Sequence, residues 1–236
     1  MNKDCDLILE HVTKLYGKGR GIQDLSVRLS AGEIAAFIGP NGVGKTTLVK
    51  AVAGLLPISE GSICLWGQSV GERSVRAGIG YMQSDISFYE KMTVYEVLEF
   101  ICQVKFGGSF YEEIDPYLRN YHLYEQRNFR IHQLSLGMKR KLSIIMALIG
   151  EPGLILLDEP ESGVDTYGII QFKADLLACA RKGSIVILTS HVLDLLEKVC
   201  TRCIFLKDGR IAEDLLLTKN SMDLEQIYEK VYGYKI

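Results

Sequence analysis

The sequence lacks a long hydrophobic run, a strong excess of either charge, and any internal repeat. Its longest apolar region, residues 142–157, is interrupted by Gly-Glu-Pro-Gly at positions 150–153, so no segment is expected to cross a bilayer on its own. The 27 Lys and Arg residues nearly balance the 29 Asp and Glu residues, which argues against nucleic acid as a main partner. Residues 1–6 are polar and lack the apolar core of a signal peptide. These features predict a cytoplasmic protein whose membrane contact comes only through a partner.

Cysteine is sparse and scattered, without the even spacing of a disulfide framework, which suits a reducing compartment. The six positions are Cys5, Cys64, Cys102, Cys179, Cys200 and Cys203. Cys200 and Cys203 form a C-x-x-C pair, but no second pair with metal-ligand spacing accompanies it. One interpretation is a redox or metal role, and the other is that Cys203 packs as a small apolar side chain within a buried strand over residues 203–206.

A glycine-rich loop, G-P-N-G-V-G-K-T at residues 39–46, predicts a phosphate-binding site. Gly39 and Gly44 let the backbone bend around an anion with its N–H groups pointing inward. Lys45 can reach the β- and γ-phosphates, and the Thr46 hydroxyl can bind Mg²⁺. A plain glycine-rich turn would not explain the apolar strand before it and the helix over residues 46–53 after it. The expected nucleotide contacts are Gly39, Pro40, Asn41, Gly42, Val43, Gly44, Lys45, Thr46 and Thr47.

The flanking patterns predict an α/β fold. Short apolar runs at residues 34–38, 154–157 and 185–188 are typical of parallel strands covered on both faces. Alternation of apolar and polar residues over 7–29 and 62–66 predicts a small antiparallel sheet. Asp208-Gly209 between two apolar segments predicts a hairpin. The predicted fold class is therefore α/β with an N-terminal antiparallel β subdomain, and the phosphate-binding loop between strand and helix resembles that of a P-loop NTPase (RecA-like) core.

A helical segment is predicted to interrupt this core. Thr93 and Glu96 form a capping-box pair, Gly107 ends the first helix, and a second helix is expected over residues 111–124. Ser135 caps a third helix that Pro152 stops. We expect one domain over 1–236, with the α/β core at 1–83 and 153–215, the helical subdomain at 84–152 and a C-terminal tail at 216–236.

Two carboxylates end the apolar strand at residues 154–157. In open α/β sheets ligands gather at the carboxyl ends of the strands, so Asp158 is suited to hold Mg²⁺, through a bound water, and Glu159 to accept a proton from an attacking water. The alternative is a solvated acidic turn, but two carboxylates beside a wholly apolar strand are costly unless paired or metal-bound.

With these motifs in place, the chain resembles the nucleotide-binding subunit of ATP-binding-cassette (ABC) transporters over about residues 7–213. The family's motifs occur in order: the phosphate-binding loop, Gln83 in G-Y-M-Q, the signature L-S-L-G-M at 134–138, D-E-P at 158–160, S-G-V-D at 162–165, and His191 in T-S-H. The resemblance implies ATP and Mg²⁺ as ligands and hydrolysis as the reaction.

The resemblance also assigns roles to single residues. Gln83 would contact the metal or the lytic water, and His191 would contact the γ-phosphate; a strand-end glutamine and a structural histidine are the alternatives. Tyr16 would stack on adenine, although a packed strand tyrosine is the other possibility. The expected catalytic groups are Lys45, Gln83, Glu159 and His191, and the expected metal ligands are Thr46, Gln83 and Asp158.

The signature segment implies a head-to-tail dimer. Ser135 and Gly137 begin a helix and would bind the partner copy's ATP in trans. The family's usual signature is L-S-G-G-Q, and this chain has Leu136 for the first glycine and Met138 for the glutamine. Both changes keep the backbone N–H donors, whereas the effect of losing a flexible glycine on closing geometry and hydrolysis rate does not follow from the sequence.

The resulting hypothesis is an ATPase that powers transport through a separate transmembrane permease, as a homodimer or with a related cassette, peripheral on the inner face of the cell membrane. The compact chain, without a regulatory C-terminal domain, resembles bacterial exporters of drugs or peptides. Phe88 and Tyr89 would contact the permease or pack locally. A soluble ABC ATPase with a regulatory or remodelling role is the alternative, and a P-loop kinase is a third.

Overall fold

The computed structural model describes residues 6–85, 87–107, 111–217 and 223–233, so Cys5, Ile86 and part of the predicted tail lie outside the described residues. Within these ranges the chain forms two β-sheets and eight α-helices. The strands are β1 (Leu7–Tyr16), β2 (Arg20–Leu29), β3 (Ile34–Ile38), β4 (Glu60–Leu65), β5 (Gln68–Ser69), β6 (Ile79–Met82), β7 (Leu154–Asp158), β8 (Ile185–Thr189), β9 (Arg202–Lys207) and β10 (Arg210–Leu216).

The helices are α1 (Lys45–Val52), α2 (Arg73–Ala77), α3 (Val94–Phe106), α4 (Tyr111–Asn120), α5 (Leu136–Leu148), α6 (Thr166–Arg181), α7 (Leu193–Val199) and α8 (Leu224–Tyr232). Short 3-10 turns occupy Gly17–Gly19, Tyr124–Gln126 and Ile131–Gln133. None of the helices in the described ranges is long and apolar enough to cross a membrane.

The larger sheet has the strand order β10-β9-β3-β8-β7-β6, and its five strands from β9 to β6 run parallel. β3, β7 and β8 are buried at every position because helices and the second sheet cover both faces. The predicted parallel strands and P-loop core are confirmed. Asp208 and Gly209 both have positive φ, +50° and +74°, which is the backbone that the predicted two-residue hairpin between β9 and β10 requires.

The smaller sheet is antiparallel, in the order β2-β1-β4-β5. Leu7 lies opposite both Leu29 on β2 and Leu65 on β4, so one apolar face of this sheet packs towards α1 and the large sheet. The antiparallel subdomain predicted from residues 7–29 and 62–66 is confirmed.

Helices α3, α4 and α5 fill the chain between β6 and β7, as predicted. Thr93 Oγ1 accepts from the Glu96 N–H, the Glu96 carboxylate accepts from the Thr93 N–H, and Gly107 ends α3 in the left-handed region. Ser135 caps α5 by accepting from the Met138 N–H at 3.2 Å.

Two predicted helix ends are wrong. The second helix was expected to continue to residue 124, but α4 ends at Asn120 because His122 adopts a left-handed φ of +55° and the Leu123 N–H turns back to Leu118 O at 2.7 Å. α5 ends at Leu148 and not at Pro152, because Gly150 takes a φ of +79° two residues after the helix.

The cysteine pair lies in the core. Five cysteines among the described residues are free thiols that form no disulfide: Cys64, Cys102, Cys179, Cys200 and Cys203. Cys203 is fully buried on β9, as its packing interpretation predicts, and burial raises the pKa of the Cys200 thiol, which disfavours the reactive thiolate. The described residues contain no group of three or more His, Cys, Asp or Glu side chains that could hold a metal.

Candidate functional site

The phosphate-binding loop joins β3 to α1 in a conformation that its glycines require. Gly42 and Gly44 have φ values of +83° and +116°, and Gly44 is the N-cap of α1. A Cβ at Gly39 would lie 2.8 Å from Val43 Cγ1 and 2.9 Å from Leu206 O. The loop therefore wraps the N-terminus of α1, where unpaired backbone N–H groups and the helix dipole favour an anion.

Lys45 is the buried cation of this loop, with 6% of its surface exposed. Its Nζ donates to Gly39 O at 2.6 Å and to Pro40 O at 3.2 Å. Burial lowers the pKa of Lys45, and the charges of Glu159 and Asp158 act in the opposite direction. The ammonium is thus held within the loop and faced by carboxylates, in the position from which it can meet phosphate oxygens.

Asp158 at the end of β7 is held from two sides. Thr46 Oγ1 donates to its Oδ2 at 2.8 Å, and Thr189 Oγ1 at the end of β8 donates to its Oδ1 at 2.6 Å. The carboxylate is 1% exposed, while Thr46 is exposed at the start of α1. A hydroxyl and a carboxylate side by side are hard oxygen donors, which fits Mg²⁺ with its remaining ligands supplied by phosphate and water.

Glu159 and His191 form a pair beside Lys45. The backbone of Glu159 leaves the strand with a φ of +52°, and its N–H donates to Thr189 O at 3.1 Å. This turn brings Glu159 Oε1 to 2.9 Å from His191 Nε2, and His191 Nε2 to 3.5 Å from Lys45 Nζ. Because both side chains are partly exposed, this carboxylate and imidazole can meet a ligand that the loop binds.

Gln83 and Tyr16 lie at the margins of this site. Met82 pairs with Leu157 in parallel register, so the half-buried Gln83 follows β6 at the same sheet edge as Asp158. Tyr16 is 48% exposed. Tyr16 lines a cavity of about 160 Å³ together with Gly44, Lys45, Thr46, Thr47 and Glu159, and also Arg20, Gly21, Asn41 and Gly42.

The described signature residues do not line either of two cavities that the phosphate-binding loop borders. Ser135 is exposed at the start of α5 and Leu136 is 64% exposed. A Cβ at Gly137 would lie 2.9 Å from Gly163 O, so the signature contacts the S-G-V-D turn. The structure therefore brings together Tyr16, Lys45, Asp158, Glu159 and His191, and leaves Ser135 and Gly137 on a separate exposed surface.

Phe88 and Tyr89, for which the sequence left contact with a permease or local packing open, differ from each other in exposure. Phe88 is half-buried and packs against the core, whereas Tyr89 is 71% exposed. The packing interpretation holds for Phe88, and Tyr89 alone offers an aromatic surface.

Several residues that shape the site were missed by the sequence analysis. Thr189 supports Asp158, Lys141 pairs with Asp165, and Tyr232 on α8 donates to Leu206 O at 2.8 Å and to Ile38 O at 3.1 Å. The sequence did contain a signal for Thr189, because this polar residue ends a buried strand that lies next to the strand bearing Asp158. Nothing in the sequence indicated that Tyr232 would contact β3.

The comparisons with known proteins agree on one family. The family model described as "ABC transporter" matches residues 22–162. The "Uncharacterized ABC transporter ATP-binding protein YhcH" of Bacillus subtilis (strain 168) is 31% identical over 226 residues, covering 94% of this chain and 73% of that protein. The "Lantibiotic transport ATP-binding protein SrtF" of Streptococcus pyogenes is 30% identical over 205 residues, covering 87% of this chain and 88% of that protein.

A solved structure described as "Structure of ATP binding subunit of ABC transporter" superposes with a TM-score of 0.89 at 26% identity, covering 95% of this chain and 98% of the other. The similarity extends over the sheets and the helices between β6 and β7, because nearly the whole of both chains is aligned.

Proposed function

Because this chain belongs to the ABC transporter family, we propose that its ATPase activity drives export through a separate membrane-spanning permease. The chain is an ATP-binding and ATP-hydrolysing subunit that powers transport. The family's non-transport ATPases and the P-loop kinases are not favoured by these relatives. The proposed mechanism rests on one observation, which is that Glu159 and His191 form a pair beside Lys45 of the phosphate-binding loop.

The chemistry follows from the positions of these side chains. The loop N–H groups and Lys45 would hold the β- and γ-phosphates and offset the charge that develops on the transferred phosphoryl group. Glu159 would orient the attacking water and accept its proton, and the neighbouring His191 would contact the γ-phosphate. Positioning and charge neutralisation supply most of the catalysis in this type of reaction.

Thr46 and Asp158 would hold Mg²⁺ next to the phosphates, with Asp158 acting through a bound water, and Gln83 is placed at the neighbouring strand end. The ion would supply positive charge that offsets the negative charge of the phosphates. Thr189 keeps the Asp158 carboxylate in place by donating to its second oxygen.

We infer that two cassettes, each a single ATPase domain, close head to tail. Ser135 and the N–H groups at the start of α5 form an exposed anion-binding helix end, but they lie away from this chain's own loop cavity. A partner's bound ATP would complete the contact, so ATP joins the two copies and hydrolysis releases them. Leu136 occupies the position of a more flexible glycine and leaves the backbone donors available.

A relative named as a lantibiotic transport ATP-binding protein supports a peptide as the transported class. In the proposed export reaction this subunit would lie on the inner face of the membrane, bound to the permease. Inside-out vesicles that contain the permease and this subunit should accumulate an added lantibiotic peptide when ATP and Mg²⁺ are present. Vesicles with Glu159→Gln serve as the control. Peptide accumulation that is equal in both vesicles would contradict ATP-driven export.

The head-to-tail arrangement has its own test. Lys45→Ala removes the loop's cation, and Ser135→Glu places a carboxylate at the helix end that would meet the partner's γ-phosphate. Each variant alone should be inactive as a homodimer, while a mixture should recover up to about a quarter of the wild-type rate, because half of the dimers are mixed and each has one intact site. No recovery in a mixture that forms mixed dimers would contradict the arrangement.

A further inference from the structure

Glu161 is a second carboxylate on the segment that follows β7, two residues after Glu159. Its Oε1 accepts from Ser190 Oγ at 2.5 Å. Ser190 is fully buried, and its Oγ in turn accepts from the Val192 N–H at 3.0 Å. The two residues that flank His191 in the sequence therefore belong to one hydrogen-bonded group, and Glu161 is its acceptor.

The environment of this carboxylate is unusual for a residue on a loop. Burial raises the pKa of Glu161, while the hydrogen bond from Ser190 and the backbone of His191 lower it. Within the described part of the chain its buried Oε2 has no hydrogen-bond partner. A buried carboxyl oxygen without a hydrogen-bond partner lowers the free energy of unfolding, so stability alone does not explain a glutamate at this position.

The contact joins the two loops that carry the reacting pair. Glu159 and Glu161 lie on the loop after β7, and Ser190 and His191 lie on the loop after β8. The short distance between Glu159 Oε1 and His191 Nε2, 2.9 Å, requires both loops to keep their relative position. The Glu161–Ser190 hydrogen bond is a side-chain link between these same loops, one residue from His191.

We propose that Glu161 is a positioning residue for ATP hydrolysis, which holds His191 against Glu159 through the hydroxyl of Ser190. The proposal rests on the roles given above to Glu159 and His191. Its physical basis is that a displacement of about 1 Å at a reacting group can lower the rate by up to about 100-fold. Glu161 itself contacts neither of the reacting side chains through a hydrogen bond that the structure describes.

Four variants test this link: Glu161→Ala, Glu161→Gln, Ser190→Ala and the double alanine variant. Both single alanine variants should lower kcat by about 10-fold and leave KM for ATP within about two-fold, because the phosphate-binding loop is untouched. The double variant should be no slower than the slower single variant, since both changes remove one interaction. Glu161→Gln should keep more than about half of the wild-type kcat, because its amide oxygen can still accept from Ser190 Oγ.

A matched control separates positioning from stability. Ser184 is also buried, precedes the other end of β8, and donates to Pro152 O at 2.8 Å. Ser184→Ala should lower the midpoint of thermal unfolding as much as Ser190→Ala does, but it should leave kcat unchanged. If Glu161→Ala does not fold, Ser190→Ala and Glu161→Gln carry the test.

The outcomes distinguish the positioning role of Glu161 from the proposed function of the site. A wild-type rate in Ser190→Ala or Glu161→Ala, or additive losses in the double variant, would overturn the positioning role. Wild-type turnover by Glu159→Gln would instead remove the proposed function of the site itself. Loss of turnover in Glu159→Gln together with full activity in Glu161→Ala would refute this inference alone.

Discussion

Lys141 on α5 and Asp165 at the start of α6 form an ion pair in which Nζ lies 2.5 Å from Oδ2. Lys141 is 6% exposed, and the other oxygen of Asp165 accepts from the Gly168 N–H at 2.7 Å and so caps α6. The pair connects the signature helix to the segment that follows Glu159. In the proposed dimer, a displacement of the signature by the partner would therefore act on the segment that follows Glu159.

This ion pair predicts a dependence of stability on pH. Hydrogen bonds from Lys141 and from the Gly168 N–H lower the pKa of Asp165 below its ordinary value of 3.8, and a nearby charge on His122 acts in the same direction. The native state therefore binds fewer protons than the unfolded chain. The stabilisation is fully present above the unfolded pKa and is lost as pH falls through the folded pKa.

Asp165→Asn keeps a capping side chain and removes the charge. Its thermal midpoint should fall below that of the wild type at pH 7, and the difference should shrink towards zero as pH falls below about 4. Thermal unfolding followed by circular dichroism from pH 3 to 7 measures this. A difference that stays constant over the range would show that Asp165 acts as a neutral cap only.

Removal of the loop's cation should abolish tight ATP binding. Lys45→Ala is expected to weaken ATP binding by at least about 100-fold, since hydrogen bonds to charged groups contribute roughly 1.5–3 kcal/mol each and the ammonium can donate to two phosphates. Titration calorimetry with ATP and Mg²⁺ measures the affinity. Lys50→Ala on the same helix is the control and should bind as the wild type does; unchanged affinity in Lys45→Ala would remove this lysine from the site.

Glu159→Gln should trap ATP. The amide cannot accept the proton of the attacking water, so kcat is expected to fall by roughly 100-fold or more while ATP still binds. Gel filtration with ATP and Mg²⁺ should then show an ATP-bound dimer that the wild type does not accumulate. Glu72→Gln at an exposed helix cap is the control. Normal turnover in Glu159→Gln would contradict the role of general base.

Thr189 should affect both stability and Mg²⁺ dependence through its hydrogen bond to Asp158. Thr189→Val keeps the shape of the side chain but removes the donor to Asp158 Oδ1, which costs roughly 1–3 kcal/mol when a buried acceptor is left unpaired. We expect a lower thermal midpoint and a higher Mg²⁺ concentration for half-maximal ATPase activity. Thr189→Ser should restore both. A Thr189→Val protein with unchanged Mg²⁺ dependence would show that Thr46 alone orients the carboxylate.

The sequence predicts the site well where function depends on local backbone chemistry. The positive φ of Gly44, the close backbone approach at Gly39, the strand before them and the hairpin at Asp208 all follow from residue types at fixed spacing. Asp158 and Glu159 could be placed because carboxylates after a buried strand must meet the sheet edge.

The parts that sequence alone could not predict depend on contacts between distant segments. The end of α4 at Asn120 depends on the left-handed His122, whose ring stacks on Tyr167 at 4.0 Å, and a histidine at that position carries no strong local signal. The Glu161–Ser190 hydrogen bond joins residues 29 positions apart, and pairing of this kind depends on the register of two strands.

Tyr232 connects the last described helix to the first nucleotide-binding element. Its hydroxyl contacts the carbonyl of Ile38, a residue 194 positions earlier, where β3 gives way to the phosphate-binding loop. A Cβ at Gly39 would lie 3.1 Å from the same hydroxyl, so there is little spare room at this junction. Any protein that displaces α8 would therefore also shift the junction between β3 and the phosphate-binding loop.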